Sequence, residues 1–298
     1  MMYFYLKWKN KRPEDIYISK EKPENCNFID EFKIKKEKLF ICGDICDDFQ
    51  DYVFPKDNKY TKNIYLSSHL QKSIRKMETE KSVKTALHLI NLDYNTFIRR
   101  IPIIMLEDVN IHESLPVLVW LMVANTKGFK LKTEIVKWLL GVVYHLSTCS
   151  EFVNYGHFNE DKHVEYNDDI ILNALQFRKA YGGMKGDMTM IEYYKQKIIT
   201  KDVLVNKGKI NIIKLDVGDL EYKDWIKSAN DFHCNRYMLQ YVKQSCNFTE
   251  DHLKSLIWIF SSSFNKRHPK KVHDTEKIND WEKIKNVVYR FQKNCKYY

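Results

Sequence analysis

Apolar residues recur at spacings of three and four through the middle of this chain, and that period predicts helix. "YLSSHLQKSIRKM" reads as a basic helix entered at Ser67 or Ser68, and "EKSVKTALHLINL" follows with Val83, Ala86, Leu87 and Ile90 on one face. In "DYNTFIRRIPIIMLEDV", Asp93 or Asn95 can cap a helix whose stripe is Phe97, Ile101, Ile104 and Met105, and Pro102 predicts a kink or a late start. "HESLPVLVWLMVANTKGF" has Ser114 at the N-cap, Pro116 in the first turn and Gly128 as the stop. "KTEIVKWLLGVVYHLSTC" begins a further helix at Thr133. Residues 64–150 are therefore expected to form a bundle of about five helices, with Trp120, Leu121, Ile135 and Leu139 in its core.

The flanks read differently. Residues 1–63 carry short β-prone pieces, "MYFYLKW", "DIYIS" and "KLFICG", between polar turns, and predict a small strand-containing region. Residues 151–298 begin with a polar loop and continue as a mainly helical, basic part. In it, "GKINIIKLD" (208–216) alternates and predicts a strand, and Thr249 opens a well-capped helix. "YGGMKGDM" (181–188) holds three of the nine glycines. Gly182 is expected to end one helix in the left-handed conformation and Asp187 to cap the next. The same geometry would turn unpaired N–H groups and a positive dipole end toward an anion, with Lys185 in the turn.

Composition sharpens this mainly α picture. The chain has 298 residues, 44% of them hydrophobic and 14% aromatic, enough for a substantial core. Its net charge of +10 suits a polyanionic partner, nucleic acid above all. Between residues 264 and 298, ten Lys and Arg face four Asp and Glu, with aromatics interleaved. Seven cysteines at irregular spacing, without an apolar leader, predict an intracellular chain with free thiols, in nucleus, cytoplasm or a viral replication site. Cys42 and Cys46 lack a second pair to complete a zinc site, so no metal is expected. The longest apolar run, residues 115–124, is about half a membrane span, and no membrane segment is expected. P-loop, dinucleotide-binding, zinc-protease and nucleophile-elbow signatures are absent, so no cofactor and no nucleotide hydrolysis are expected.

One stretch resembles a known family. "SSHLQKSIRKMETEKSVKTALHLINLDYNTFIRRIPIIMLEDVNIHESLPVLVWLMVA", followed by "IVKWLLGVVYHLSTCS", is similar to the helical C-terminal region of the replication-associated recombination ATPases. These are the bacterial protein A type and its eukaryotic Werner-helicase-interacting relatives. The matching residues are Arg99, Arg100, Glu107, Asp108, Pro116 and "YHLSTC", preceded by "HLQKSIRKM". The resemblance covers residues 66–150. It implies a collar-like helical module of the clamp-loader type, which in the family mediates oligomerisation beside DNA-processing machinery. The family's ATPase core is absent, and Asn110 stands where the family has Gly.

Two function classes follow. The first is a non-catalytic DNA replication or repair accessory protein, acting as a homo-oligomer or as a subunit of a replication complex. It would bind nucleic acid through Lys266, Arg267, Lys270 and Lys271, with Lys72, Arg75, Lys76 and Lys185 as further contacts. Arg99 and Arg100 would form structural ion pairs with Glu107 and Asp108, two helical turns away. The second is a nucleic-acid-processing enzyme with a site around Asp187, Asp231 and His233, which requires those three to share a pocket.

Overall fold

The computed structural model describes residues 1–34, 37–46, 48–57, 60, 62–153, 169–220, 236–262, 265–268 and 274–294. The chain opens with two hairpins. Strands β1 (Met2–Lys9) and β2 (Arg12–Ser19) are antiparallel, as are β3 (Phe28–Ile34) and β4 (Glu37–Ile45). The hairpins join through a parallel β1–β4 pair, giving the order β2-β1-β4-β3. The tip of the first hairpin holds Asn10 and Lys11 at positive φ, 51° and 63°, as a two-residue turn matched to strand twist requires. Three of these strands were expected. β3 was not, because an edge strand carrying Asp30, Glu31 and Lys33 shows little apolar alternation.

Helices then dominate: α1 (Asn63–Arg75), α2 (Thr79–Asp108), α3 (Leu115–Asn125), α4 (Thr133–Thr148), α5 (Ile170–Ala180) and α6 (Lys185–Ile199). α1 begins ahead of Ser67 and Ser68, which lie inside it rather than at its cap. α2 is two helices end to end. Its break falls at Asp93 (φ −157°, ψ 84°) rather than at Pro102, and Asp93 Oδ1 accepts the Thr96 N–H at 2.9 Å. The second half is thereby capped inside a continuous run. α3 is apolar on every side, and every residue from Leu115 to Ala124 is buried.

One core runs from Phe4 in the sheet to Leu220, across the change from strand to helix near residue 63. Trp120 of α3 joins the two layers. Its Nε1–H faces two carbonyls, Cys42 O at 2.9 Å and Phe4 O at 3.2 Å, one on each strand of the parallel pair. Leu121, Ile135 and Leu139 are fully buried in the same core.

Residues 203–220 form an extended strap rather than the expected strand. They alternate in exposure because one side lies on the helices and the other faces solvent. Ile213 N–H donates to Lys137 O of α4 at 3.0 Å, and Asn206 makes an isolated bridge with His112. Beyond the strap, α7 (Arg236–Lys243), α8 (Glu250–Ile257) and α9 (Thr275–Asn294) pack round a second, small core that includes Met238, Val242, Leu253, Ile284 and Val288. The Thr249 hydroxyl caps α8 by accepting the His252 N–H, and a π-helical turn, Trp258–Ser262, follows. Among the described residues, no helix is long and apolar enough to cross a membrane.

Candidate functional site

The charged residues singled out by sequence fall mostly inside the molecule. Arg75 Nε lies 2.6 Å from Asp108, and Arg75 Nη2 3.3 Å from Glu107. Gln71 donates to both carboxylates, at 2.8 and 3.0 Å. Arg100 does pair with Glu107, at 3.8 Å, and also reaches Gln71 and, at 3.4 Å, Asp187. Asp108 takes its cation from α1 instead of from Arg99 or Arg100. Arg99 donates to the Tyr181 carbonyl at 3.1 Å. Burial, and then the Asp108 charge beside it, push the Glu107 carboxyl up. The cluster is a half-buried strut between α1, α2 and α6.

Asp187 lies in the first turn of α6, not at its cap, which is Met184. Gly182 does adopt the left-handed conformation, φ +73°, and its carbonyl accepts from Arg178 at 2.8 Å. The glycine turn is therefore closed from inside by Arg178 and Arg100. Lys185 at its start is exposed. Asp231 and His233 lie outside the described residues, as do Lys270 and Lys271.

Lys72 is buried, only 4% exposed, and burial lowers the Lys76 ammonium below the ordinary lysine range. With Arg75 occupied, α1 presents no solvated basic stripe. Arg267 is the larger correction. Its guanidinium is buried and donates to main-chain carbonyls at three helix ends: Ile74 O (2.7 Å), Cys149 O (2.6 Å), Leu146 O, and, at 3.4 Å each, Arg75 O and Asp108 O. Helices α1, α2 and α4 all terminate there, and their C-terminal carbonyls and negative dipole ends favour a cation. Asn265 assists by donating to Asp108 O at 2.9 Å. Arg267 is thus a plug for the bundle. Of the loop residues that are described, Lys266 keeps its side chain exposed.

A cleft elsewhere assembles groups that the sequence did not single out as a site. It has a volume of about 600 Å³ and lies between the β1–β2 hairpin, the turn leading into α3, and the strap. Arg12, Lys207 and Lys209 line it and are exposed. No ion pair holds any of these three among the described residues. Glu14, Asp15 and Glu113 line it too, but Glu14 is bound to Lys7 at 2.6 Å, which holds its carboxyl below the usual range. Trp138 and Ile16 give the cleft an apolar wall.

His112 and Ser114 also line this cleft. The strap is pinned to their turn: Asn206 N–H donates to Ile111 O and Glu113 N–H to Asn206 O, both at 2.9 Å. Asn110, at the position where the resemblance has Gly, donates to Leu204 O at 3.1 Å and Glu151 at 2.9 Å, fixing the strap from the other side. The Gly208 carbonyl lies 2.8 Å from His112 Nε2. A Cβ at residue 208 would stand 2.3 Å from the His145 ring, so only glycine lets the backbone approach here.

That contact assigns the histidine tautomer. A carbonyl can only accept, so Nε2 carries the proton and Nδ1 is the acceptor. Nδ1 lies 2.8 Å from Ser114 Oγ and 3.0 Å from the Ser114 N–H. The serine hydroxyl therefore donates to His112. Burial, followed by neighbouring His145, lowers His112 to about 4 despite the opposing Gly208 bond, so the ring is neutral at physiological pH. Ser114 occupies the N-cap position, but its φ and ψ (−74°, −10°) are helical and its side chain makes no capping bond. Its lone pairs remain uncommitted to the backbone.

Comparison with family models, curated proteins and solved structures returned no match to this chain. Among the described residues, no cluster of three or more His, Cys, Asp or Glu could hold a metal ion.

The readable traces of the cleft were slight. "KNKR" at the hairpin tip and the lysines of "NKGKINIIK" are lost among 49 Lys and Arg. "HES" ahead of Leu-Pro shows a cap, and only the strap's return across the turn gives that histidine a proton acceptor.

Proposed function

We propose that this chain is a nucleic-acid-binding accessory protein of DNA replication or repair, with residues 66–150 as a collar-like module and with the cleft as its anion-contacting surface. The replication or repair setting rests on the resemblance of that segment. One observation supports the location: Arg12, Lys207 and Lys209 border an open cleft and no ion pair holds them among the described residues, whereas Arg267, Lys72 and Arg75 are consumed inside the fold. Exposed cations bordering a cavity release counterions when a phosphate enters, and buried cations cannot.

Fluorescence anisotropy with a labelled single-stranded oligonucleotide, across a range of salt, tests this reading. Binding should weaken linearly in log salt. Changing Arg12, Lys207 and Lys209 together to Ala should flatten the slope by about two to three, each phosphate contact contributing roughly 0.7 to 0.9. Changing Lys185 and Lys266 to Ala should leave most of the slope in place. A triple variant with wild-type affinity and slope would remove the cleft from the reading.

A further inference from the structure

We propose that Ser114 is a nucleophile activated by His112, and that the cleft seats a nucleotide-sized phosphodiester for attack at phosphorus. Three observations carry it. The hydroxyl donates to a neutral imidazole at 2.8 Å, within reach of general-base proton transfer. The other ring nitrogen is held by Gly208 O at 2.8 Å, which fixes tautomer and orientation, the task a third group performs in any nucleophile–base–orienter set. Both side chains lie, almost wholly buried, in the wall of a cavity of about 600 Å³, in the size range of small-ligand sites.

The choice of a phosphodiester rests on the anion-binding reading of the cleft. The nucleophile does not. Arg12, Lys207 and Lys209 border the same cavity and would offset charge on the phosphoryl oxygens.

The step balances without a further reactant except water. Ser114 Oγ bonds to phosphorus as the bond from phosphorus to one ester oxygen breaks. The hydroxyl proton passes to His112 Nδ1 and then to the departing oxygen, which leaves as an alcohol. Water next attacks the phosphoseryl group. His112 takes the water's proton and returns it to Ser114 Oγ. The products are a phosphomonoester and an alcohol.

A fluorophosphonate probe tests the nucleophile directly, because it reports attack on phosphorus whatever the natural ligand. Wild-type protein should be labelled, with the adduct mapped to Ser114, and Ser114→Ala should lose it. His112→Asn separates chemistry from structure: Asn can still accept the residue-114 N–H two positions on, but it cannot take a proton. It gives up the Nε2–H bond to Gly208 O, so its melting temperature should fall by a few degrees, while the folded variant should label on the order of 100-fold more slowly. Unlabelled wild-type protein, or an adduct elsewhere, overturns the proposal. So does a His112→Asn variant that labels at the wild-type rate.

Turnover of bis(p-nitrophenyl) phosphate tests the substrate class. It should fall in the variant with Ala at 12, 207 and 209 while fluorophosphonate labelling persists. Labelling without any diester turnover in wild type would overturn the phosphodiester and leave the nucleophile standing. Failure of the oligonucleotide test alone leaves the labelling result untouched.

Discussion

Arg267 Nη1 donates a 2.7 Å hydrogen bond to the carbonyl of Ile74, 193 residues earlier in the chain. The same guanidinium reaches Cys149 O and Asp108 O. One side chain therefore satisfies the ends of three helices. Arg267→Ala takes the guanidinium from Cys149 O and Leu146 O, while Ile74 O keeps the Met77 N–H and Asp108 O keeps Asn265, and it should cost about 2 to 5 kcal/mol, since each orphaned group carries a penalty of roughly 1 to 3 kcal/mol that water entry partly relieves. Arg267→Lys keeps the charge without the fork and should recover only part of it. Urea denaturation of the two variants checks the order: wild type, then Lys, then Ala.

His69 supplies a pH dependence. It is buried on α1, its Nδ1 is 2.7 Å from Thr85 Oγ1, and burial, reinforced by nearby lysines, lowers it to about 3. The Thr85 hydroxyl already donates to Lys81 O, so His69 Nδ1 donates and Nε2 is left unpaired. The folded ring stays neutral as pH falls, while the unfolded ring takes a proton below about 6.5. Stability contributed by this site is complete above the unfolded value and is lost as pH falls toward the folded one. Between pH 6.5 and 4.5 that loss is about 2 to 3 kcal/mol. Denaturation at both pH values, with His69→Leu beside wild type, should show the variant lacking this share of the acid loss.

Asp93 holds the break in α2. Its Oδ1 accepts the Thr96 N–H, and its Oδ2 accepts from Asn63 Nδ2 at 2.7 Å. Asp93→Ala removes a cap and a tie to α1, and should destabilise by about 1 to 2 kcal/mol. Asp93→Asn keeps an acceptor and should lose less, as thermal melts of both variants would register.

Lys201 closes α6 in a conformation suited to glycine. Its φ is +57°, the Asp202 N–H donates to Lys197 O and the Lys201 N–H to Ile198 O, the paired bonds of a Schellman ending. The residue is exposed, so Lys201→Gly sacrifices little packing. It should stabilise by about 0.5 to 1 kcal/mol by relieving the left-handed strain. An unchanged or lower urea midpoint would count against that account.

Where sequence and structure agree, the physics is local. Residues 115–124 are apolar at every position and end at Gly128, so helix, burial and stop were all legible. Thr249 caps α8 through a bond that short-range sequence encodes. The disagreements are non-local. "GKINIIKLD" has a strand's alternation because an extended chain on a helical surface also half-buries nearly every second residue. Nothing in "NKRH" indicates that three helix ends converge on it. His112 gains its orienting carbonyl from Gly208, 96 residues away. Each half of that contact is unremarkable in sequence until the strap brings them together.

The parallel join between β1 and β4 has a kinetic consequence. Each hairpin closes locally, on the scale of about 1 to 10 μs, but the seam between them requires strands with two others between them in sequence. The indole of Trp120 faces Phe4 O on one strand and Cys42 O on the other, 116 and 78 residues away. The seam is thus tied to α3 by one side chain, and docking of the bundle should reinforce the sheet at that join. In stopped-flow chevrons, Trp120→Phe should act mainly on the refolding arm if that docking limits the rate, and mainly on the unfolding arm if the seam closes after the barrier.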